Sequence, residues 1–350
     1  MKEMDDLLRP LDRRSFLKIS GLLGLGAATA SFLPTAAEAV SFTKKMMMVS
    51  KTRLAMGTFV SMTLLHPSKD QAEEAMERAF EEIDRLSGLM SRYDQASAVA
   101  FANKEGGVRE LPSETVHVVS RALHYYTLTD GAFDITVKPV VDLFQEKLGG
   151  DKKDWPTERE VKALLKLVDS RKVELRGNSL HFKDSGMGIT LDGIAKGYIV
   201  DRASELLTTQ GIENHLINAG GDIRTRGSKE GGRPWTVAIQ DPLKRKSYPD
   251  VVQMKDGAIA TSGNYEVYFD QEKMFHHIVD PKTGFSPHLS TSVSIMAKTT
   301  MEADALSTSV FVMGPEEGTR FINGLSSCQS LVISQNGTLS KSKGWKSAAL

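Results

Sequence analysis

Within the segment EADALSTSVFVMG (302–314) an acid and a hydroxyl, Asp304 and Thr308, stand four residues apart. On a helix that spacing stacks both on one face. They share it with Ala305, Leu306, Val310 and Phe311, and two oxygens among such neighbours ask for a role beyond solvation. In LDGIAKGYIVD (191–201), Lys196 lies between small residues where a strand is expected to give way to a helix. Open N–H groups and an ammonium there suit a phosphate, although a lysine at a helix start is commonly just solvated. HHIVDPKTG (276–284) offers two histidines, an aspartate and a Pro-containing turn. Adjacent histidines on a strand face opposite ways and do not easily share a metal, but one of them suits a general base.

TDGAFDITV (129–137) sets Asp134 after a turn at Asp130-Gly131, and reads most simply as a turn, then a strand capped by the acid. INAGGDI (217–223) has a glycine pair that permits close backbone approach or a tight turn. The chain has no Walker lysine motif, no Gly-x-Ser-x-Gly elbow and no zinc-spaced histidine pair. The kinase, serine hydrolase and zinc protease readings lose ground accordingly.

The elements that must carry these groups follow from periodicity. KTRLAMGTFVSMTLL (51–65) is rich in β-branched residues and reads as a strand. After it, Ser68 and Gln71 form a capping box, and Ala72, Ala75, Met76, Ala79, Phe80, Ile83 and Leu86 mark an amphipathic helix. Further helices are expected over Ser113–Leu128 and after a second capping box at Thr157 and Glu160. KVELRGNSLHFK reads as a hairpin turning at Gly177-Asn178. Beyond residue 215 strands dominate: HLINAGGDIRTRG, PWTVAIQD, VVQMKDGAIATSG, YEVYF and TSVSIMAK, with a closing hairpin at Asn336-Gly337. Helices and strands mix without a βαβαβ order, which favours an α+β fold over a doubly wound sheet.

The 350 residues allow one large domain or two ordinary ones. Lys+Arg and Asp+Glu each total 44, so no charge excess points to nucleic acid or acidic membranes. Cys328 is the only cysteine, which excludes an intrachain disulfide and any Cys-rich metal site, and its thiol is expected to be packed. The N-terminus has Arg13, Arg14 and Lys18, an apolar run from Ile19 to Leu33, Pro34 and a small-residue pattern, Ala37-Glu38-Ala39. That is a secretory signal over residues 1–39, leaving 40–350 as a single domain. The apolar run of 15 residues is short against the roughly 20 that span a bilayer. Arg-Arg-Ser-Phe-Leu-Lys resembles a twin-arginine signal. An exported, periplasmic protein is therefore expected; an ordinary Sec signal or an uncleaved inner-membrane anchor are the alternatives.

Nine segments in order are more specific than any one of them. MGTF, SRYDQASAVAFAN, DGAFDITVKPVVDLF, LDGIAKGYIVD, INAGGDIRTRG, WTVAIQDP, IATSGNY, HHIVDPKTG and EADALSTSVFVMG together resemble the ApbE family of FAD:protein FMN transferases, over roughly residues 51–335. The resemblance implies an ApbE-like, T-fold-like α+β architecture of mixed, largely antiparallel sheets packed with helices. It implies Mg²⁺-dependent transfer of FMN from FAD to a threonine or serine hydroxyl of an acceptor protein, with release of AMP. The typical acceptor is a subunit of a membrane redox complex. By the same matching Asp304, Thr308 and the Gly193 carbonyl would bind the metal. FAD would contact Met56, Tyr93, Ala132, Phe133, Asp134, Lys196 and Ile278. His277 would be the base, with His276 its rival and Asp280 an orienting group. The family often has Asp-x-Gly-Gly-Ile-Ala-Lys-Gly where this chain has TLDGIAKG, so Thr190 stands at that edge and Asp192 directly precedes Gly193. A flavin carrier that transfers nothing and a metal-dependent FAD pyrophosphatase are the competing readings.

Overall fold

Strands β1 (Glu38–Thr43), β2 (Met46–Ala55) and β3 (Thr58–His66) form an antiparallel ribbon at one edge of the main sheet. The stretch 51–65, expected as one strand, is thus two. Met56 and Gly57 both have positive φ, 52° and 71°, the backbone of a two-residue hairpin turn. A methionine seldom takes positive φ, so the residue pattern concealed the reversal. The computed structural model describes residues 38–43, 46–148, 154–243, 248–265 and 276–348. The expected signal lies outside them except for Glu38 and Ala39, which stand in β1, and most of the expected strand YEVYF also lies outside.

Helix α1 (Lys69–Met90) starts at Ser68, whose side chain accepts from the Gln71 N–H, and all seven of its expected apolar positions are buried. Three further helices, α2 (Ala98–Glu105), α3 (Ser113–Leu128) and α4 (Lys138–Leu148), follow, with the two-residue β4 (Gly107–Val108) between the first two. Helix α5 (Glu158–Leu165) begins with the expected Thr157–Glu160 capping box. The hairpin β5 (Val173–Arg176) and β6 (Ser179–Phe182) turns where expected and joins β4 in a small sheet. No strand precedes α6 (Ala195–Thr209); residues 187–194 are an extended and turned segment.

The main sheet continues through β7 (Asn214–Ala219) and β8 (Asp222–Arg226). A separate hairpin of β9 (Trp235–Ala238) and β10 (Val251–Met254) intervenes before β11 (Gly257–Gly263) and β12 (Ser290–Ala297) return to the sheet. Helices α7 (Thr300–Met313) and α8 (Pro315–Asn323) come next, and β13 (Gln329–Ser334) and β14 (Leu339–Lys341) close the sheet. Its nine strands run β1-β2-β3-β7-β8-β11-β12-β13-β14, antiparallel at every pairing. The fold is α+β, as expected.

Strand alternation divides the burial between two faces. Met62, Leu64, Ile217, Ala260, Val293, Ile295 and Val332 pack with α1, α6 and α7 into the large core. Ile223, Ile259 and Leu331 face the other way, under Val237, Ile239 and Val252 of the β9–β10 hairpin and under Trp345. The helical face positions the site, because its helices begin at the sheet end where two hairpins turn. Gly220 and Gly221, both at positive φ, join β7 to β8 beside the Met56-Gly57 turn; an added Cβ on Gly220 would fall 2.4 Å from Thr58 Oγ1. Among the described residues no helix is long and apolar enough to cross a membrane.

Candidate active site

The site is organised by two helix starts that meet. A Cβ on Gly197 would lie 2.4 Å from the Thr300 carbonyl oxygen and 2.8 Å from Met301 Cα, so only glycine lets α6 and α7 approach this closely. Each helix then caps the other. Ile194, at the head of α6, supplies no side-chain cap; instead Asp304 of α7 accepts from the Gly197 N–H at 3.0 Å. Asp201 of α6 accepts from the Thr300 and Met301 N–H groups, both at 2.9 Å, with Arg224 Nε 3.8 Å away. Such orphan N–H groups need partners wherever a helix starts in the interior.

Asp304 is 5% exposed, and that one N–H is the hydrogen bond its carboxylate accepts among the described residues. Burial, then the charge of Asp222, raise its carboxyl well above the usual range, against the pull of Lys196 and the Gly197 N–H. Thr308, one turn on, is half-buried, and its Oγ1 lies 3.3 Å from Ser262 Oγ, which also meets Ser307 Oγ at 2.7 Å. The Gly193 backbone runs against Thr308: a Cβ there would sit 3.1 Å from Thr308 Oγ1 and 3.3 Å from the Phe133 ring. The structure therefore unites Gly193, Asp304, Thr308 and Phe133.

Lys196, in the first turn of α6, points its ammonium at Asp222, with Nζ to Oδ2 at 3.4 Å. Asp222 was not singled out from sequence. It is 1% exposed and follows the glycine pair at the head of β8. The acid ending INAGGD was the available signal, hidden because the glycines already explained the turn. Asp201 and Arg92 were missed for another reason: each reads as a surface charge until its burial is seen.

Tyr93 stands beside the same loop. The Arg92 side chain, 4% exposed, bridges Asp142 at 2.6 Å and Asp192 at 3.0 Å. It also donates to the Tyr93 hydroxyl at 2.5 Å and lies 4.3 Å from that ring's centroid. Gln145 donates to the same hydroxyl at 3.1 Å, while the ring as a whole is half exposed, a fixed aromatic platform. Thr190 caps the turn into Gly193 by accepting from the Asp192 N–H at 3.2 Å, and its own N–H goes to Ile135. Met56 occupies its hairpin tip and Ala132 is buried.

Two expectations change at this level. Asp134 is followed by a short 3-10 helix (Ile135–Val137), not a strand. Its carboxylate accepts four hydrogen bonds, from the N–H and hydroxyl of Thr136 and of Ser170. Asp280 holds its own turn, accepting from the Lys282 N–H at 2.8 Å and the Thr283 hydroxyl at 3.0 Å; among the described residues these, not His277, are its partners. Ile278 is buried and His277 half-buried. His276, the rival base, is fully buried. Its Nε2 is 3.1 Å from the Pro287 carbonyl, and burial pushes its pKa down to about 3. A neutral, enclosed imidazole is the poorer candidate to meet a substrate. Cys328 is packed as expected, burial lifting its thiol to about 11.

Among the described residues no three His, Cys, Asp or Glu side chains gather in a metal-binding group. The oxygens near Asp304 are a carboxylate, hydroxyls and backbone, a set that suits only a hard cation sharing its shell with other ligands.

The chain is similar to known proteins over most of its length. The ApbE family model matches residues 56–332. The FAD:protein FMN transferase of Vibrio cholerae is 35% identical over 246 residues, 68% of this chain and 74% of that protein. The Haemophilus influenzae protein of that name is 30% identical over 317 residues, 85% and 90% of the two chains. Among solved structures, the ApbE protein of Thermotoga maritima superposes with a TM-score of 0.77 at 30% identity, covering 85% of this chain and 97% of that one. The flavin transferase ApbE of Vibrio cholerae does so at 0.73 and 28%, covering 88% and 98%. With the family model matching most of the sequence and relatives of 30% identity or more covered over two thirds of this chain, the chain belongs to the ApbE family.

Proposed function

We propose that this ApbE-family enzyme is a FAD:protein FMN transferase that uses Mg²⁺ to move FMN from FAD onto a threonine or serine hydroxyl of an acceptor protein. One observation carries the reading beyond family membership: Asp304, Thr308 and Gly193 meet beside Lys196, and among the described residues the buried Asp304 carboxylate accepts a single hydrogen bond. The donors fit Mg²⁺ because, among the described residues, two buried carboxylates, Asp222 and Asp304, share the Lys196 ammonium, an imbalance that favours a further cation. Bound there, Mg²⁺ would neutralise charge on a pyrophosphate.

The chain's own groups do the rest. Lys196 offsets phosphate charge. Tyr93 and Met56 pack against ring systems of FAD, and Ala132, Phe133, Asp134, Thr190 and Ile278 wall the same ligand. His277 takes the proton from the acceptor hydroxyl. The acceptor oxygen then forms a bond to the FMN phosphorus as the bond from that phosphorus to the bridging oxygen breaks, and AMP leaves. We assign the acceptor to a membrane redox complex, reached after export directed by the Arg13-Arg14 segment; this rests on the family resemblance and on the signal pattern.

The test mixes the mature protein, FAD and Mg²⁺ with a candidate acceptor domain and reads in-gel fluorescence and intact mass. An FMN-sized mass gain that requires Mg²⁺ supports the transferase, whereas free FMN and AMP without labelled protein would replace it with a pyrophosphatase. His277→Ala is expected to bind FAD normally and to lose about 10²- to 10⁴-fold in transfer rate; a fully active variant removes His277 from that role. Reporter export that survives Arg13→Lys plus Arg14→Lys would count against twin-arginine export.

A further inference from the structure

Asp222 is the most enclosed charge at the site, and beyond its share in the charge balance it has had no role so far. Its side chain is 2% exposed, against 26% for Lys196. The 3.4 Å separation makes an ion pair without an aligned hydrogen bond, and Asp222 Oδ2 has no hydrogen-bond partner among the described residues. Its placement is rigid. It heads β8, in register with Ala219 across a Gly220-Gly221 turn that sits hard against Thr58. Lys196, by contrast, has a long flexible stem with a point charge at its tip. The residue after it, Gly197, holds Asp304 through its N–H. The lysine stem therefore starts within reach of both carboxylates, and what decides its direction is which of them is fixed in front of it.

We propose that Asp222 is the positioning residue of this site, drawing the Lys196 ammonium aside so that the Asp304 carboxylate stays open to a cation. The inference rests on the cation-dependent reading above and adds a residue and a role to it. Without the Asp222 charge, the Lys196 ammonium can turn toward Asp304, whose carboxylate already feels its charge. Lysine and metal then compete for one carboxylate. An ion pair that merely ties α6 to β8 would affect melting and leave that competition untouched.

Mn²⁺, which shares magnesium's preference for oxygen donors, is titrated by electron paramagnetic resonance into the full mature chain, with and without FAD. Asp222→Asn is expected to weaken Mn²⁺ by about ten- to hundred-fold while its near-ultraviolet circular dichroism stays that of the wild type. Adding Lys196→Met to that variant is expected to return most of the lost affinity, because the competitor is gone. Damage to the fold, or a role for Asp222 as a direct ligand, predicts no such return. Unchanged affinity in Asp222→Asn, or a double variant as weak as the single one, overturns the proposal. Wild-type protein that binds no Mn²⁺ in either condition overturns the cation reading and this inference with it. Should Asp222→Asn fail to fold, Lys196→Met alone decides: equal or tighter Mn²⁺ binding is expected, and weaker binding overturns it.

Discussion

Asp134 and Asp304 are both aspartates beside helical starts, 7% and 5% exposed, yet the chain treats them differently. Around Asp134 four donors from Thr136 and Ser170 close on the carboxylate. Burial raises its pKa and those bonds oppose the rise. Around Asp304 one N–H is supplied, and the nearby Asp222 adds repulsion to burial. A buried carboxylate that its own chain satisfies is architecture. One left short of partners is reserved for something that arrives from outside.

The largest effect that tests this contrast is Asp304→Asn. It keeps an acceptor for Gly197 but removes the charge, so transfer is expected to fall by at least about 10³-fold with melting at or above the wild type. A low-melting, fully active variant would break the contrast. Asp134→Ala should do the reverse, stranding buried N–H groups at a cost of about 2–4 kcal/mol in urea unfolding while Mn²⁺ binding persists in the folded fraction.

Acid sharpens the same point through a satisfied histidine. His215 is fully buried, with Nε2 2.7 Å from Ser204 Oγ and Nδ1 2.9 Å from the Ile212 carbonyl. Burial chiefly, with Arg226 and Arg224, lowers its pKa to about 4, against the Ile212 carbonyl and Asp256. A depressed histidine pKa gives stability that is complete above about pH 6.5 and is lost as pH falls toward 4; the full loss is about 3 kcal/mol. Unfolding at pH 7.5 and 4.5 should show it, and His215→Gln should flatten it.

Gly197→Ala should cost about 1–3 kcal/mol by overpacking and weaken Mn²⁺ binding as the helix starts separate; normal melting would mean that the close approach is dispensable. Ser262→Ala is the mildest change. Loss of a hydroxyl beside Thr308 is expected to weaken Mn²⁺ by about tenfold or less, and no loss would confine Ser262 to packing.

Much of this was legible in sequence because local signals were strong. The Ser68 cap, which forms only half of the expected box, the Thr157 capping box and the apolar spacing of α1 placed their helices, and the i,i+4 relation of Asp304 and Thr308 survived intact. What escaped depends on contacts distant in sequence. Asp201 looks like a helix-surface acid until Thr300 and Met301 are seen to donate to it from 99 and 100 residues away. Asp222 looks like the end of a turn until Lys196 is found against it. Met56-Gly57 failed for a local reason, since methionine is not a residue one expects at positive φ. Helices α2, α4 and α8 were not foreseen either; α2 and α8 are short and offer little periodicity to read.

The mutual capping of α6 and α7 makes the site depend on segments far apart in the chain. Asp304 reaches Gly197 across 107 residues of sequence, and contacts of that span close slowly because a long loop must be ordered first. A chain that stops before residue 300 leaves the head of α6 without its cap and the site without its carboxylate. Binding competence therefore reports completion: the protein cannot be loaded until both ends of that span have come together, so a nascent or truncated copy stays inert.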